Sequence, residues 1–374
     1  MIIKLMGLKK KLVNILYKIA LLFSKFASQN PQNYNSLLLI KNDEIGDYFL
    51  FRDFLKDIRN SNKYKNHKIT LLGNKLFKQL FDAFDAQYVD DVIWIDKTKF
   101  KKDLSYRYSL LKSVRERGFG EVVNCIYSHS ILNDDCFAEV VNCEKKTAFA
   151  SSSDSKLYTH YIPAGAVVQF DLLRNKMFFS KLLDQEEVNA SVFINGVKNN
   201  TAINKYCVIF AGAGKQSKLW PASYFAEIIT YIKSNSSLDI YLCGGPGDVK
   251  DSDAVKALIS CDVHDETGKK TIPESLSILK GAEFMISVDT GAVHMGASVK
   301  CPVIGLYSGR DYGRFAPYPT EIFDKFYSIF SDNVDKVVNE NYDELNNQEL
   351  FPFEEIKEIT PQKVIPYIDL LLPK

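Results

Sequence analysis

Short, continuously apolar runs recur along this chain, each followed by a polar or glycine-bearing turn and then by a stretch of helical periodicity. Residues 36–40 predict a buried strand, 41–47 a polar turn and 48–58 a helix, the first half of a βαβ unit. The pattern repeats with strands at 68–72, 91–95 and 121–127, helices at 75–84 and 106–117, and a weaker sequel at 140–149. Residues 185–204 are polar and Asn-rich and read as an interdomain linker. A second alternation follows, with strands at 206–210, 238–243, 284–288 and 303–307 and helices at 221–233, 254–259, 273–280 and 292–299. Strands alternating with helices predict an α/β protein with doubly wound parallel sheets, here two Rossmann-like domains facing a central cleft. The expected organisation is a basic N-terminal helix over 1–30, one Rossmann-like domain over 31–185, a second over 200–345, and a helical tail over 346–374. The tail has Pro361 at its helical start and an apolar stripe, and is expected to fold back across the domains.

Composition narrows the class. The 374 residues are 46% hydrophobic, 25% charged and 13% aromatic, enough for two buried cores and far from a disordered composition. Forty-seven Lys and Arg against 46 Asp and Glu leave a net charge of +1, so no global field attracts nucleic acid. Seven cysteines, without a Cys-x-x-Cys pair, indicate neither a disulfide framework nor a zinc ribbon, and a reducing cytoplasm is expected.

The charge asymmetry lies at the start. Residues 1–28 hold six lysines and no acid, and Lys4, Lys11, Lys18 and Lys25 recur every seven residues on one side of a helix. The apolar runs there are too short to span a bilayer. Lys18 interrupts the stretch that a signal peptide would keep apolar. Beside that signal-peptide reading, two alternatives stand: a helix lying on anionic headgroups, and one packed on the protein's own surface.

Three glycine-bearing turns in the second half sit at the carboxyl ends of expected strands, where open α/β sheets bind ligands. In Phe210-Ala-Gly-Ala-Gly-Lys-Gln-Ser-Lys-Leu-Trp-Pro221, Gly212 and Gly214 admit a close backbone approach, and Ser217 and Lys218 offer a hydroxyl and a cation to a phosphate. In Cys243-Gly-Gly-Pro-Gly-Asp248, Gly245 suits a base or ribose held against backbone, and Asp248 is either a ribose acceptor or a helix cap. In Ser287-Val-Asp-Thr-Gly-Ala-Val-His-Met-Gly296, Asp289, Thr290 and Gly291 join strand to helix, and His294 follows one turn beyond Thr290 on the same face. In the first half, Gly46 and Asp47 close the first strand-to-helix turn; Asp47 reads as a cleft-facing carboxylate, an N-cap, or both. Asp251-Ser252-Asp253 reads as a solvated cap, and no metal site is expected.

Taken in order, Lys41-x-x-x-x-Gly46-Asp47, Gly212-x-x-x-x-Ser217-Lys218-x-Trp220-Pro221, Gly244-Gly245-Pro246-Gly247 and Asp289-Thr290-Gly291-x-x-His294-x-x-Ala297, followed by Pro302, resemble glycosyltransferase family 9, the lipopolysaccharide heptosyltransferases. The resemblance runs over roughly residues 37–318, with weaker echoes at 118–127 and 169–183. It implies a GT-B architecture, an amino-terminal acceptor domain, a carboxy-terminal domain for a nucleotide sugar such as ADP-heptose, and inversion at the anomeric carbon with no metal or other cofactor. Carried over by motif, it gives Asp47 the part of general base, Ser217 and Lys218 the diphosphate, and Asp289, Thr290, Gly291 and His294 the donor sugar and phosphate. The chain departs from the family pattern in its acidic Asn42-Asp43-Glu44, in Ala211 where proline is common, and in Tyr307-Ser-Gly-Arg-Asp311, which bears on the donor-sugar pocket. The expected partners are a nucleotide-sugar donor, a lipid-linked saccharide acceptor and, through residues 1–28, the inner face of the cytoplasmic membrane. A nucleotide-sugar epimerase and a non-catalytic nucleotide-sugar-binding protein are the alternatives.

Overall fold

The structure is a computed structural model that describes residues 2–150, 156–166, 168–200, 204–341 and 356–373, with side chains from residue 12 onward and short of residue 341. Lys4, Lys9, Lys10 and Lys11 therefore lie outside the described side chains, and the start of the expected tail at 346 lies outside the described residues. The chain divides into two structural units. The first comprises Met1–Glu44, Arg52–Ala164 and Lys176–Ala190; the second comprises Ile45–Phe51, Gly165–Asn175 and Ser191–Lys374.

In the first unit, strands β1 (Asn33–Lys41), β2 (Lys68–Asn74), β3 (Asp91–Ile95), β4 (Phe119–Asn124), β5 (Lys145–Phe149) and β6 (His160–Ile162) form one parallel sheet in the order β3-β2-β1-β4-β5-β6. The order reverses direction beside β1, whose residues 37–40 are fully buried, as expected of a central strand covered on both faces. Helices α1 (Ile2–Ser24), α3 (Phe54–Asn60), α4 (Lys78–Phe84), α5 (Lys97–Lys102), α6 (Leu104–Glu116) and α7 (Asp135–Val140) accompany it.

The second unit repeats the plan with β7 (Tyr206–Phe210), β8 (Asp239–Cys243), β9 (His264–Asp265), β10 (Met285–Val288), β11 (Val303–Leu306) and β12 (Phe326–Ile329), in the order β12-β11-β10-β7-β8-β9. Its helices are α2 (Ile45–Phe49), α9 (Ala222–Asn235), α10 (Val249–Lys256), α11 (Ile272–Gly281), α12 (Gly291–Ser298), α13 (Asp332–Asn341) and α14 (Pro361–Leu371). Helix α8 (Asp171–Leu182) begins in the second unit and ends in the first. The doubly wound parallel fold expected from the alternation of elements is borne out.

Four local expectations are corrected. The helix expected over 48–58 is broken into α2 and α3, because Tyr48, Phe49, Leu50 and Phe51 are all buried and four consecutive side chains cannot face one core from a straight helix. The Leu50 carbonyl freed at the break accepts a hydrogen bond from Asn175 Nδ2 at 3.0 Å. The helix expected over 254–259 starts earlier, at Val249, directly on the turn that Asp248 closes. The sequel at 140–149 begins as α7 and only then becomes β5. The tail helix α14 packs within the second unit, where Val364 and Ile368 join the core beside Ile228 and Ile232 of α9. Trp220 ties the same region by donating Nε1–H to the Ile359 carbonyl at 2.7 Å.

Helix α1 packs against α6 and α7 on the first unit. Ala20, Leu21 and Ser24 are buried, the Arg107 guanidinium lies 4.0 Å over the Tyr17 ring, and Lys25 pairs with Glu139. Of the alternatives left open by the sequence, packing on the protein's own surface is observed for one face of this helix.

Candidate functional site

The sheet topology of the second unit brings the three glycine-bearing turns side by side. Strand β7 lies between β10 and β8, and Ser287, Phe210 and Cys243 stand in register across the three strands. The segments that leave these residues are therefore neighbours at the carboxyl end of the sheet, where the strand order reverses. One crevice is thus built from segments far apart in the chain.

At its centre, Lys218 Nζ meets Asp289 Oδ2 at 2.6 Å. Lys218 sits on the short 3-10 turn Gln216–Lys218 that follows Gly214, and Asp289 directly follows β10. Burial pushes the Asp289 carboxyl above its ordinary value, while Lys218 and, more weakly, Lys215 work against that rise. Thr290 caps α12 by accepting the Ala292 N–H at 3.3 Å, and so ends the strand and opens the helix in one residue. Gly214 and Gly247 have open space where a side chain would stand.

Asp248 makes a turn-closing contact in this structure. Its Oδ2 accepts the Gly245 N–H at 2.8 Å, and its side chain fills the space over Gly212, where a Cβ would stand only 2.3 Å from Asp248 Cβ. Gly244 leaves similar room, 2.9 Å from the same atom. Gly212 and Gly244 are thus small because Asp248 lies between their turns.

The other wall comes from α2 and α12, whose first turns abut. A Cβ on Gly46 would lie 3.1 Å from His294 Cδ2, and one on Gly291 would lie 3.2 Å from the Gly46 nitrogen. Asp47, in the first turn of α2, is thereby held beside the helix that begins directly after Asp289 and Thr290. His294 is buried between Gly46, Phe315 and Tyr318, and its Nδ1 lies 3.2 Å from the Tyr318 hydroxyl. Burial drives its pKa down to about 3, with Asp171 opposing and Lys218 assisting, so the ring is neutral at physiological pH. Burial also raises the Tyr318 pKa, keeping that hydroxyl protonated. The Tyr318 hydroxyl and Nδ1 share one hydrogen bond, in which the tautomer of the ring decides the donor.

A second ionic cluster completes this wall. Arg314 donates through Nε and a terminal nitrogen to Asp171 Oδ1 and Oδ2 at 3.3 and 2.8 Å, and Arg174 Nε donates to Asp171 Oδ1 at 3.2 Å. The Asp171 N–H donates to the Arg314 carbonyl at 2.9 Å. Burial opposes the charge on Arg314, but Asp171 first and then Asp47 and Asp311 outweigh it and raise its pKa. Asp171, Arg174, Arg314 and Tyr318 were not singled out by the sequence. The only signal for them was the weak family echo at 169–183, since 143 residues separate Asp171 from Arg314.

A third polar cluster lies in the first unit at the end of β4. His129 Nδ1 lies 3.0 Å from Asp135 Oδ2 and Nε2 lies 3.1 Å from the Phe149 carbonyl. Burial resists protonation of this ring, but Asp135 and then the Phe149 carbonyl outweigh it and raise the pKa. Burial and the neighbouring Asp135 push Asp134 up to about 7. His129, Asp134 and Asp135 are close enough to share a metal ion. Both ring nitrogens already face oxygen atoms of the protein.

Residues 165–325 match the sequence model of glycosyltransferase family 9 (heptosyltransferase). Over 114 residues, 30% of this chain, the sequence is 31% identical to lipopolysaccharide heptosyltransferase 1 of Salmonella typhimurium; the alignment spans 35% of that protein, about a third of its length. Among solved structures, the fold is similar to a family 9 glycosyl transferase from Veillonella parvula (TM-score 0.65, 16% identity, 92% of this chain and 99% of that one). It is equally similar to Escherichia coli heptosyltransferase WaaC with ADP-2-deoxy-2-fluoro heptose (TM-score 0.65, 17% identity, 90% and 99% of the two chains). The two parallel six-stranded sheets are those of a GT-B fold, the architecture of a class of glycosyltransferases. Over residues 165–325 the chain is thus similar to glycosyltransferase family 9, the family that the ordered motifs resemble.

Proposed function

We propose that this protein is an inverting glycosyltransferase that moves a sugar, heptose from ADP-heptose, onto a lipid-linked saccharide acceptor of lipopolysaccharide core type. In this reading an acceptor hydroxyl attacks the anomeric carbon and the bond from that carbon to the diphosphate oxygen breaks. Asp47 takes the hydroxyl proton as the new glycosidic bond forms. General-base help of this kind is worth about 10² to 10⁴ in rate. The charge that develops on the departing nucleoside diphosphate is met by Lys218, by the backbone N–H groups of the Gly212 turn and by the amino end of α12. These groups take the part that a metal plays in other transferases, so the reaction is expected to run without one. Gly245 lies beside the nucleotide, and Asp248, held at the Gly245 turn, is the candidate acceptor for the ribose.

One observation carries this reading: Gly46 packs against His294 and Gly291, so the residue after it, Asp47, stands beside the helix that opens two residues after Asp289. In this reading the Asp47 carboxylate and the Lys218–Asp289 pair, 2.6 Å apart, serve the same helix terminus. The lysine-rich, acid-free segment 1–28 supports work at the inner face of the cytoplasmic membrane, where a lipid-linked acceptor resides.

The test is nucleoside diphosphate release from a panel of nucleotide sugars, with and without a lipopolysaccharide core acceptor. Release from ADP-heptose that requires acceptor is the expected result. Release without acceptor would point to an epimerase, and absence of both turnover and nucleotide-sugar binding would contradict the proposal.

A further inference from the structure

Helix α1 buries one face against α6 and α7 and leaves the opposite face to solvent. Leu12, Ile15, Ile19, Leu22 and Phe23 lie on a single helical stripe, Phe26 stands in the turn that follows the helix, and all are exposed, Phe23 by 59% and Phe26 by 78%. A continuous row of large apolar side chains on the outside of a packed helix is not needed for folding, because Ala20, Leu21 and Ser24 already hold the helix down from the other side.

The charge around the stripe names its occupant. Residues 1–28 contain six lysines and no acid. Of these, Lys18 is exposed, while Lys25 is engaged with Glu139. Helix α5 is tied to the packed side of α1 by the Tyr17 hydroxyl, which donates to the Lys101 carbonyl, and carries exposed Lys99, Lys101 and Lys102. The acids next to them are occupied: Asp103 caps α6, Asp96 caps α5 and Glu44 pairs with Lys97 at 2.7 Å. An apolar stripe flanked by exposed Lys18 on a lysine-rich, acid-free segment is complementary to acyl chains below and anionic headgroups above. Among the described residues, no helix is long and apolar enough to cross a membrane.

We infer that the outward face of α1 is a docking surface for an anionic lipid bilayer. Leu12, Ile15, Ile19, Leu22, Phe23 and Phe26 enter the headgroup boundary, while Lys18, Lys101 and Lys102 contact lipid phosphates. This docking role deepens the membrane part of the proposed function and rests on it for the choice of leaflet. It changes the contact from a lysine stripe lying on headgroups to an apolar stripe inserted between them.

The full-length chain is floated with vesicles of phosphatidylethanolamine and phosphatidylglycerol, and separately with pure phosphatidylcholine. Binding to the anionic vesicles should exceed binding to the neutral ones by about tenfold or more. The triple variant Ile15→Ser, Ile19→Ser, Phe23→Ser should lower the partition coefficient at least about a hundredfold. The variant Lys18→Glu, Lys101→Glu, Lys102→Glu should abolish the preference for anionic lipid. Both variants alter exposed side chains and should keep the wild-type melting temperature and nucleotide affinity. Wild-type protein that does not float, or a triple serine variant that floats like wild type, would overturn the inference. So would a stable wild-type dimer in sedimentation that the serine variant dissolves, because the stripe would then be a subunit interface. Turnover on a delipidated acceptor, measured on the same preparations, separates the two readings: floating without turnover contradicts the enzymatic proposal alone, and turnover without floating contradicts the docking surface alone.

Discussion

Replacing Lys218 by methionine removes the ammonium group and keeps most of the side-chain volume. At the observed 2.6 Å, Coulomb attraction to Asp289 at an effective dielectric of about 20 is about 6 kcal/mol. The partial exposure of Lys218 and the rotamer freedom it surrenders offset about half of that. The net loss, about 3 kcal/mol, sits at the low end for a buried pair broken on one side. For a unit of about 200 residues it should lower Tm by about 6–12 °C at pH 8. The deficit should depend on pH in a definite sense. Burial already holds the Asp289 pKa above its ordinary 3.8, and loss of the lysine raises it further. A carboxyl whose folded pKa is raised contributes stability below its unfolded pKa and loses it as pH climbs through the folded value. The gap between variant and wild type should therefore be widest at pH 8 and should close toward pH 4. Thermal unfolding in a pH series measures it, and donor affinity should fall in parallel. A deficit that is flat across this range, or absent, would refute the idea that Lys218 neutralises a buried Asp289.

Three further outcomes follow from the packing. Gly212→Ala would set a methyl group 2.3 Å from Asp248 Cβ, so it should expel the cap, open the Gly245 turn and weaken donor binding tenfold or more in titration calorimetry, a loss of about 1.4 kcal/mol. Gly291→Ala crowds the Gly46 nitrogen and should push α2 away from α12; kcat should drop at least about tenfold while donor affinity changes less, and equal losses in both would argue against a role in placing Asp47. His294 has its folded pKa depressed to about 3 by burial, so the protein should lose stability as pH falls below about 6.5; His294→Gln should remove part of that slope, and an unchanged slope would count against a buried neutral ring.

The sheets were legible because their central strands are written as unbroken apolar runs, Leu37 to Ile40 and Tyr206 to Phe210, each closed by a turn. Glycine-bearing turns at strand ends then marked the carboxyl edge, and parallel topology did the rest. Less legible were features that depend on what a side chain meets after folding. The break at Leu50 follows from four consecutive residues all finding a core, which periodicity alone cannot foresee. Strands β9 and β12 are short and carry His264, Asp265 and Ser328, which dilute the apolar signal. The Asp171–Arg314 clamp joins segments 143 residues apart, and neither segment carries a local motif for it. At the amino terminus the sequence advertised lysines, but the folded helix spends Lys25 on Glu139 and turns Phe23 and Phe26 outward, so its exposed character is more apolar than its composition suggested.

The proposed chemistry turns on Asp47, and a paired experiment on Asp47→Asn decides it: nucleotide-sugar affinity by calorimetry and acceptor-dependent nucleoside diphosphate release by a coupled assay. A general base at this position requires a loss of about 10² to 10⁴ in kcat with donor Kd unchanged. Turnover within a few-fold of wild type, or a loss of donor binding as large as the loss of turnover, would remove Asp47 from that role.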